Sequence, residues 1–180
     1  MKNIERLRLQ KIYGFLYKRH MQGVNVSECF YCADLRQCLD HVPPISAFNK
    51  ISMDYYRKNK ITFSLIPCCN QCNGKLGDKL FLTVGERLEF LERFYETELR
   101  KIKARWTEDE ITQLGRGLVD YIRAKKDYET VLIHKIRAIQ TRAIREDTHP
   151  RHYDEDIEGE IYEALEVVMQ LDQPDTAKAA

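Results

Sequence analysis

Along residues 3–21 the apolar positions Ile4, Leu7, Leu9, Ile12, Leu16 and Tyr17 recur at roughly helical spacing, with basic residues between them, which predicts an amphipathic N-terminal helix. Two readings of its basic face stand side by side: a solvated surface, or contact with a phosphate backbone. Gly23 and Asn25 then predict a turn. Farther on, Thr83-Val-Gly-Glu86 has the spacing in which a Thr hydroxyl and a Glu carboxylate satisfy each other's backbone N–H at a helix start. It opens a run with Leu88, Leu91, Phe94, Tyr95, Leu99 and Ile102 at helical intervals. A second such box, Thr107-Glu-Asp-Glu110, follows Trp106 and starts a run through Ile111, Leu114, Leu118, Tyr121, Ile122, Val131, Leu132, Ile136 and Ile139. The pattern predicts two long helices with Trp106 at the elbow, the second crossing Gly115 and Gly117 with little interruption. Thr148-His149-Pro150 ends it, after which Ile157, Ile161, Leu165 and Val168 predict a last acidic amphipathic helix and residues 173–180 a frayed tail.

The helical periodicity fails between residues 26 and 82. There Leu39 and Val42 flank Asp40-His41 in a short strand-like segment closed by Pro43-Pro44. All six Cys fall in the same region, between positions 29 and 72. Charge interrupts residues 1–16 too often for a signal peptide, and no run approaches the ~20 apolar residues of a spanning helix, so the expected location is intracellular, in the cytoplasm, with no membrane partner. In a reducing compartment clustered Cys act as metal ligands more readily than as disulfides. Cys29-Phe-Tyr-Cys32 and Cys69-Asn-Gln-Cys72 each have the two-residue gap that lets one tight turn present two sulfurs to one ion, and Zn²⁺ takes four such ligands in a tetrahedron. Cys68 would leave a three-residue gap, so Cys69 is the expected ligand, and Cys38 and Cys68 are left over. A closed four-sulfur site is structural and activates no water. Thiols locked on zinc, with no βαβ pattern around them, also exclude a thioredoxin-like redox role.

The chain is 43% hydrophobic and 32% charged, as suits a folded, largely helical domain, and its formal net charge of +1 provides no global attraction to polyanions. Local asymmetry remains. Residues 2–20 hold six bases against Glu5, the segment 146–172 is acidic, and the long second helix carries Arg116, Arg123, Lys125, Lys126, Lys135, Arg137, Arg142 and Arg145. That last set reads as a solvated face, as a DNA-tracking arm, or as part of a helix through which two copies or a protein partner associate.

The combination Cys-x-x-Cys, Asp-His-x-x-Pro, Ile-Pro-x-Cys-x-x-Cys-Asn and Lys-x-Gly-Asp, spread over residues 27–82, resembles the HNH endonucleases in their zinc-stapled ββα-metal form. The resemblance implies two strands and a helix around a catalytic Mg²⁺ or Mn²⁺, with Asp-His on the first strand and the helix beginning at the Asn after the last Cys. It implies His41 as general base, Asp40 and Asn73 as ligands of the catalytic ion, and DNA as substrate. A neutral imidazole, a carboxylate and an amide oxygen suit that chemistry. One position departs from the family. Ser64 stands where the middle Asn props the His-bearing loop, so that support falls to Ser64 itself, Asn49 or Asn59. Lys75 and Lys79, beside the site, are the first candidates for phosphate contact, with Arg57 and Lys58 in the insert next to Tyr55 and Tyr56.

The expected fold is thus a mostly helical α+β protein: an N-terminal helix over 1–25, a zinc-stapled core over 26–82, a helical extension over 83–147 and an acidic helix and tail over 148–180. The expected activity is metal-dependent endonuclease. Its rival is a zinc-stabilised nucleic-acid- or protein-binding module of the same fold without cleavage, motivated by Ser64.

Overall fold

The computed structural model describes residues 3–19, 25–102 and 107–148; the turn at Gly23, the elbow at Trp106 and the acidic helix beyond 148 lie outside the described residues. Helix α1 spans Asn3–Tyr13 and stops earlier than the apolar spacing predicts. At Gly14 the backbone tightens into a 3-10 turn, and strand β1, Lys18–Arg19, then pairs in parallel with Ser64 and Leu65. Glycine is a poor helix former, and the ladder hydrogen bonds offered by the sheet outcompete a further helical turn.

Strand β2, Cys38–Val42, and strand β3, Ser64–Cys68, form an antiparallel ladder that sets His41 opposite Leu65 and Cys38 opposite Cys68. The sheet order is β1-β3-β2, which leaves β2 at an edge. A short helix α2, Met53–Lys58, capped by Ser52, lies in the insert between these strands. Helix α3, Asn70–Leu76, follows β3 at once, so β2, β3 and α3 form a ββα unit. Its start lies three residues before Asn73, because the sulfur of Cys69 takes the N-cap position and accepts the Cys72 backbone N–H at 3.4 Å.

Helix α4, Val84–Ile102, begins at the predicted capping box: Thr83 Oγ1 accepts the Glu86 N–H and Glu86 Oε2 accepts the Thr83 N–H. The second box caps only a short helix α5, Glu108–Thr112. The chain turns at residues 113–115 and α6 restarts at Arg116, running to Thr148, so the predicted single helix breaks at Gly115, while Gly117 is carried inside α6. The result is the mostly helical α+β arrangement expected.

Two apolar clusters hold it together. The first gathers Cys29, Phe30, Tyr31, Val42, Ile66 and Leu76 with Val84, Leu88, Leu91 and Tyr95 of α4 and Leu132, Ile136 and Ile139 of α6. Each fully buried Leu or Ile contributes about 1.5–3 kcal/mol, so the extension and the cysteine-rich unit share one core. The second cluster packs Leu9, Leu16 and Tyr17 on Ile45, Tyr56 and Phe63. Successive strand residues point to opposite faces, so β3 sends Ile66 and Cys68 to the first cluster and Leu65 to the second. No helix among the described residues is long and apolar enough to cross a membrane.

Candidate functional site

Cys29 and Cys32 lie in the turn before β2, and Cys69 and Cys72 at the start of α3; their sulfurs all fall within 4.8 Å of one another and all four residues are buried. The Cys32 and Cys69 sulfurs are 3.7 Å apart. Sulfurs bound about 2.3 Å from a central ion in a tetrahedron stand about 3.8 Å apart, so the donor set fits a soft tetrahedral cation such as zinc. The choice of Cys69 over Cys68 agrees with this geometry, since Cys68 is not among the four converging residues and its sulfur meets that of Cys38 instead.

Four thiolates around a divalent ion leave surplus negative charge, and the fold answers it. Lys135, grouped by the sequence with the bases of a charged helix face, is 4% exposed; its Nζ donates to Asp34 Oδ2 at 2.8 Å and to Gln71 Oε1 at 2.7 Å. Burial pulls its pKa down, but the Asp34 hydrogen bond and the Cys32 and Cys69 sulfurs outweigh burial and hold it above the ordinary value. The Tyr95 hydroxyl lies 3.4 Å from the Cys72 sulfur.

Strand β2 carries the second part of the site. Asp40 and His41 are neighbours on a strand and therefore face opposite sides. Asp40 is 5% exposed and looks toward α4, where its Oδ2 accepts Arg87 Nη1 at 2.5 Å and the Tyr31 hydroxyl at 2.7 Å. Burial pushes the Asp40 carboxyl above its ordinary value, with Arg87 and then Tyr31 pulling against it. The fully buried Arg87 also donates to the His41 carbonyl oxygen at 2.9 Å, so one guanidinium ties α4 to both residues.

His41 turns to the other side, edge-on to Tyr17 with ring centroids 4.7 Å apart. Burial, then the charges of Arg6 and Arg87, lower its pKa from 6.5 to about 4, so the imidazole is neutral at pH 7. The support predicted from Asn49 or Asn59 is not there: Asn49 Nδ2 donates to Glu5 and Asn59 Nδ2 to the Tyr55 carbonyl. Ser64 is buried opposite Val42. It is the Tyr17 hydroxyl that reaches the loop after His41, donating to the Pro43 carbonyl at 2.8 Å.

Where β2 exposes its unpaired edge, Leu39, Asp40 and His41 all line a pocket of about 220 Å³. Asn73 and Asp78 enter it from α3 and the turn after it, and Arg6 from α1. His41 and Asn73 thus border one cavity; Asp40 also borders it, but its carboxylate turns to α4 and is held there by Arg87 and Tyr31. Asn73 also donates through Nδ2 to the Cys38 sulfur at 3.5 Å.

The four predicted phosphate contacts lie elsewhere. Lys75 Nζ sits 4.6 Å over the Phe94 ring and Lys79 Nζ 4.8 Å over Phe90, while Lys79 also donates to the Lys75 carbonyl at the end of α3. Arg57 and Lys58 stand exposed on α2. None of the four lines the pocket, whereas Arg6 does. Arg87 and Lys135 carried a legible signal: each is a charge on an apolar helical stripe, beside Leu88 and Leu91 or Leu132 and Ile136, and a charge so placed needs a buried partner. Tyr17 carried none, since an aromatic residue beside Leu16 reads as core.

No protein-family model, curated protein or solved structure matches the chain.

Proposed function

We propose that the protein is a metal-dependent endonuclease of the HNH type, hydrolysing phosphodiester bonds in DNA. The observation that supports this reading is the meeting of His41 and Asn73 at one pocket that Asp40 also borders, beside a four-cysteine centre that fastens β3 and α3 to the turn preceding β2. In this reading the cysteines hold zinc, with no open position, so their contribution is to folding and not to the reaction.

The chemistry falls to the pocket. His41, neutral at pH 7, accepts the proton of the attacking water, and its low pKa keeps it in that form through acidic conditions. Tyr17 and Arg87 fix its position from two sides, through the Pro43 and His41 carbonyls. Asp40 and Asn73, with Asp78 at the same pocket, offer the hard oxygen donors that Mg²⁺ or Mn²⁺ takes. Such an ion supplies charge stabilisation at the phosphate and the leaving oxygen. Arg6 brings a fixed positive charge to the rim, where a phosphate oxygen would enter. The exposed Arg57, Lys58, Lys75 and Lys79 lie outside the pocket, where they would meet flanking backbone phosphates.

One observation favours the rival reading, a DNA- or protein-binding module without cleavage: Asp40 Oδ2 is already engaged by Arg87 and Tyr31, which leaves less of the carboxylate for an ion. Supercoiled plasmid separates the two. Zinc-loaded protein with Mg²⁺ or Mn²⁺ is expected to nick it, and His41→Ala to lose nicking while still binding. Equal mobility shifts by both proteins with no cutting by either would assign the rival.

A further inference from the structure

The two cysteines outside the four-sulfur centre are not scattered. Cys38 and Cys68 occupy directly opposed positions at one end of the β2-β3 ladder, and their sulfurs are 3.3 Å apart. Opposed residues of an antiparallel pair have Cα atoms about 4.5–5.5 Å apart, inside the roughly 4.4–6.8 Å that a disulfide spans, so the sulfurs can bond without moving either strand far. Cys38 is partly exposed and Cys68 is buried. That is the arrangement of a thiol that meets an oxidant and a second that resolves it.

We propose that Cys38 and Cys68 form an oxidative modification site, closed to a disulfide by hydroperoxides. The Cys38 sulfur attacks one peroxide oxygen and breaks the O–O bond, its S–H proton passing to the departing hydroxide, which gives a sulfenic acid and one water. The Cys68 thiol then attacks the sulfenic sulfur, its S–H proton leaving with the displaced hydroxyl as a second water. Hydrogen peroxide and two thiols thus become one disulfide and two waters. The consequence reaches the pocket: Asn73 Nδ2 donates to the Cys38 sulfur, and that sulfur moves toward Cys68 when the bond forms. The effect on cleavage rests on the function proposed above; the modification does not.

The test uses the zinc-loaded full chain, treated with hydrogen peroxide and quenched by alkylation. After the quench the treated chain is expected to carry two alkyl groups fewer than the untreated one, peptide mapping to join Cys38 to Cys68, and bound zinc to stay unchanged. A thiol reductant is expected to reverse the change, and Cys38→Ser and Cys68→Ser each to abolish the link. Thiol loss confined to Cys29, Cys32, Cys69 and Cys72 with release of zinc, or Cys38 and Cys68 both still alkylated after treatment, would overturn the proposal. Because mass and zinc are read without any nuclease assay, failure of the cleavage reading leaves this result interpretable. Where plasmid nicking is present, it is expected to fall with disulfide yield in wild type and to resist peroxide in Cys38→Ser.

Discussion

The hydroxyl of Tyr17 donates a 2.8 Å hydrogen bond to the carbonyl oxygen of Pro43, two residues past His41, while the Tyr17 ring packs edge-on against the imidazole at 82°. A residue from the segment after α1 therefore steadies the His-bearing loop. Tyr17→Phe keeps the ring and removes the hydroxyl, leaving a buried carbonyl without its donor. Urea unfolding is expected to show a loss of about 1–3 kcal/mol, and plasmid cleavage to lose kcat with KM little changed.

Arg87 joins α4 to the site strand through a fully buried guanidinium. Arg87→Met strands the Asp40 carboxyl in the core, and breaking a buried pair from one side costs about 3–5 kcal/mol. Adding Asp40→Asn to Arg87→Met removes the orphaned charge, so the double variant is expected to recover part of that loss in the same unfolding experiment. Full additivity of the two single changes would contradict a direct pairing.

The depressed pKa of His41 sets two pH dependences. Below pH 6.5 an unfolded chain takes up a proton that the folded chain refuses until about pH 4, so stability falls as pH drops through that window, by about 3 kcal/mol in all, and then levels off. The acid limb of kcat/KM is expected near the folded value and not near 6.5. Arg6 is part of the cause, so Arg6→Gln is expected to move the limb upward.

The cysteine centre separates cleanly from its neighbours. Cys69→Ser is expected to lose bound zinc and unfold, whereas Cys68→Ser keeps both, as metal analysis and circular dichroism would record. Lys135→Met removes the buried cation beside the sulfurs while retaining bulk, and zinc affinity is expected to fall about 10–100-fold in a chelator competition. An unchanged affinity would leave Lys135 with its Asp34 and Gln71 bonds alone.

Much of this was legible in the residues, and the limits have physical reasons. Ligand spacing is local, so Cys29, Cys32, Cys69 and Cys72 could be picked out, and so could the two capping boxes and the strand holding Asp40 and His41. The early end of α1 could not, because it depends on pairing between Lys18 and Ser64, far apart in sequence. The orientation of Asp40 was legible only in part: strand alternation separates it from His41, but its partner Arg87 comes from a helix 47 residues away. The burial of Lys135 could not be told from the row of bases along α6, because a helical face is solvated or buried according to what packs on it, and here the cysteine centre does.

The central claim is that one small scaffold holds two chemically different cations, a soft one among sulfurs and a hard one at the β2 edge beside His41. Titration of zinc-loaded protein with Mn²⁺, followed by electron paramagnetic resonance, tests it most directly. The account predicts one Mn²⁺ site, lost in Asn73→Ala with bound zinc and fold unchanged. Absence of any Mn²⁺ site, or one indifferent to Asn73→Ala and Asp40→Asn alike, would contradict it.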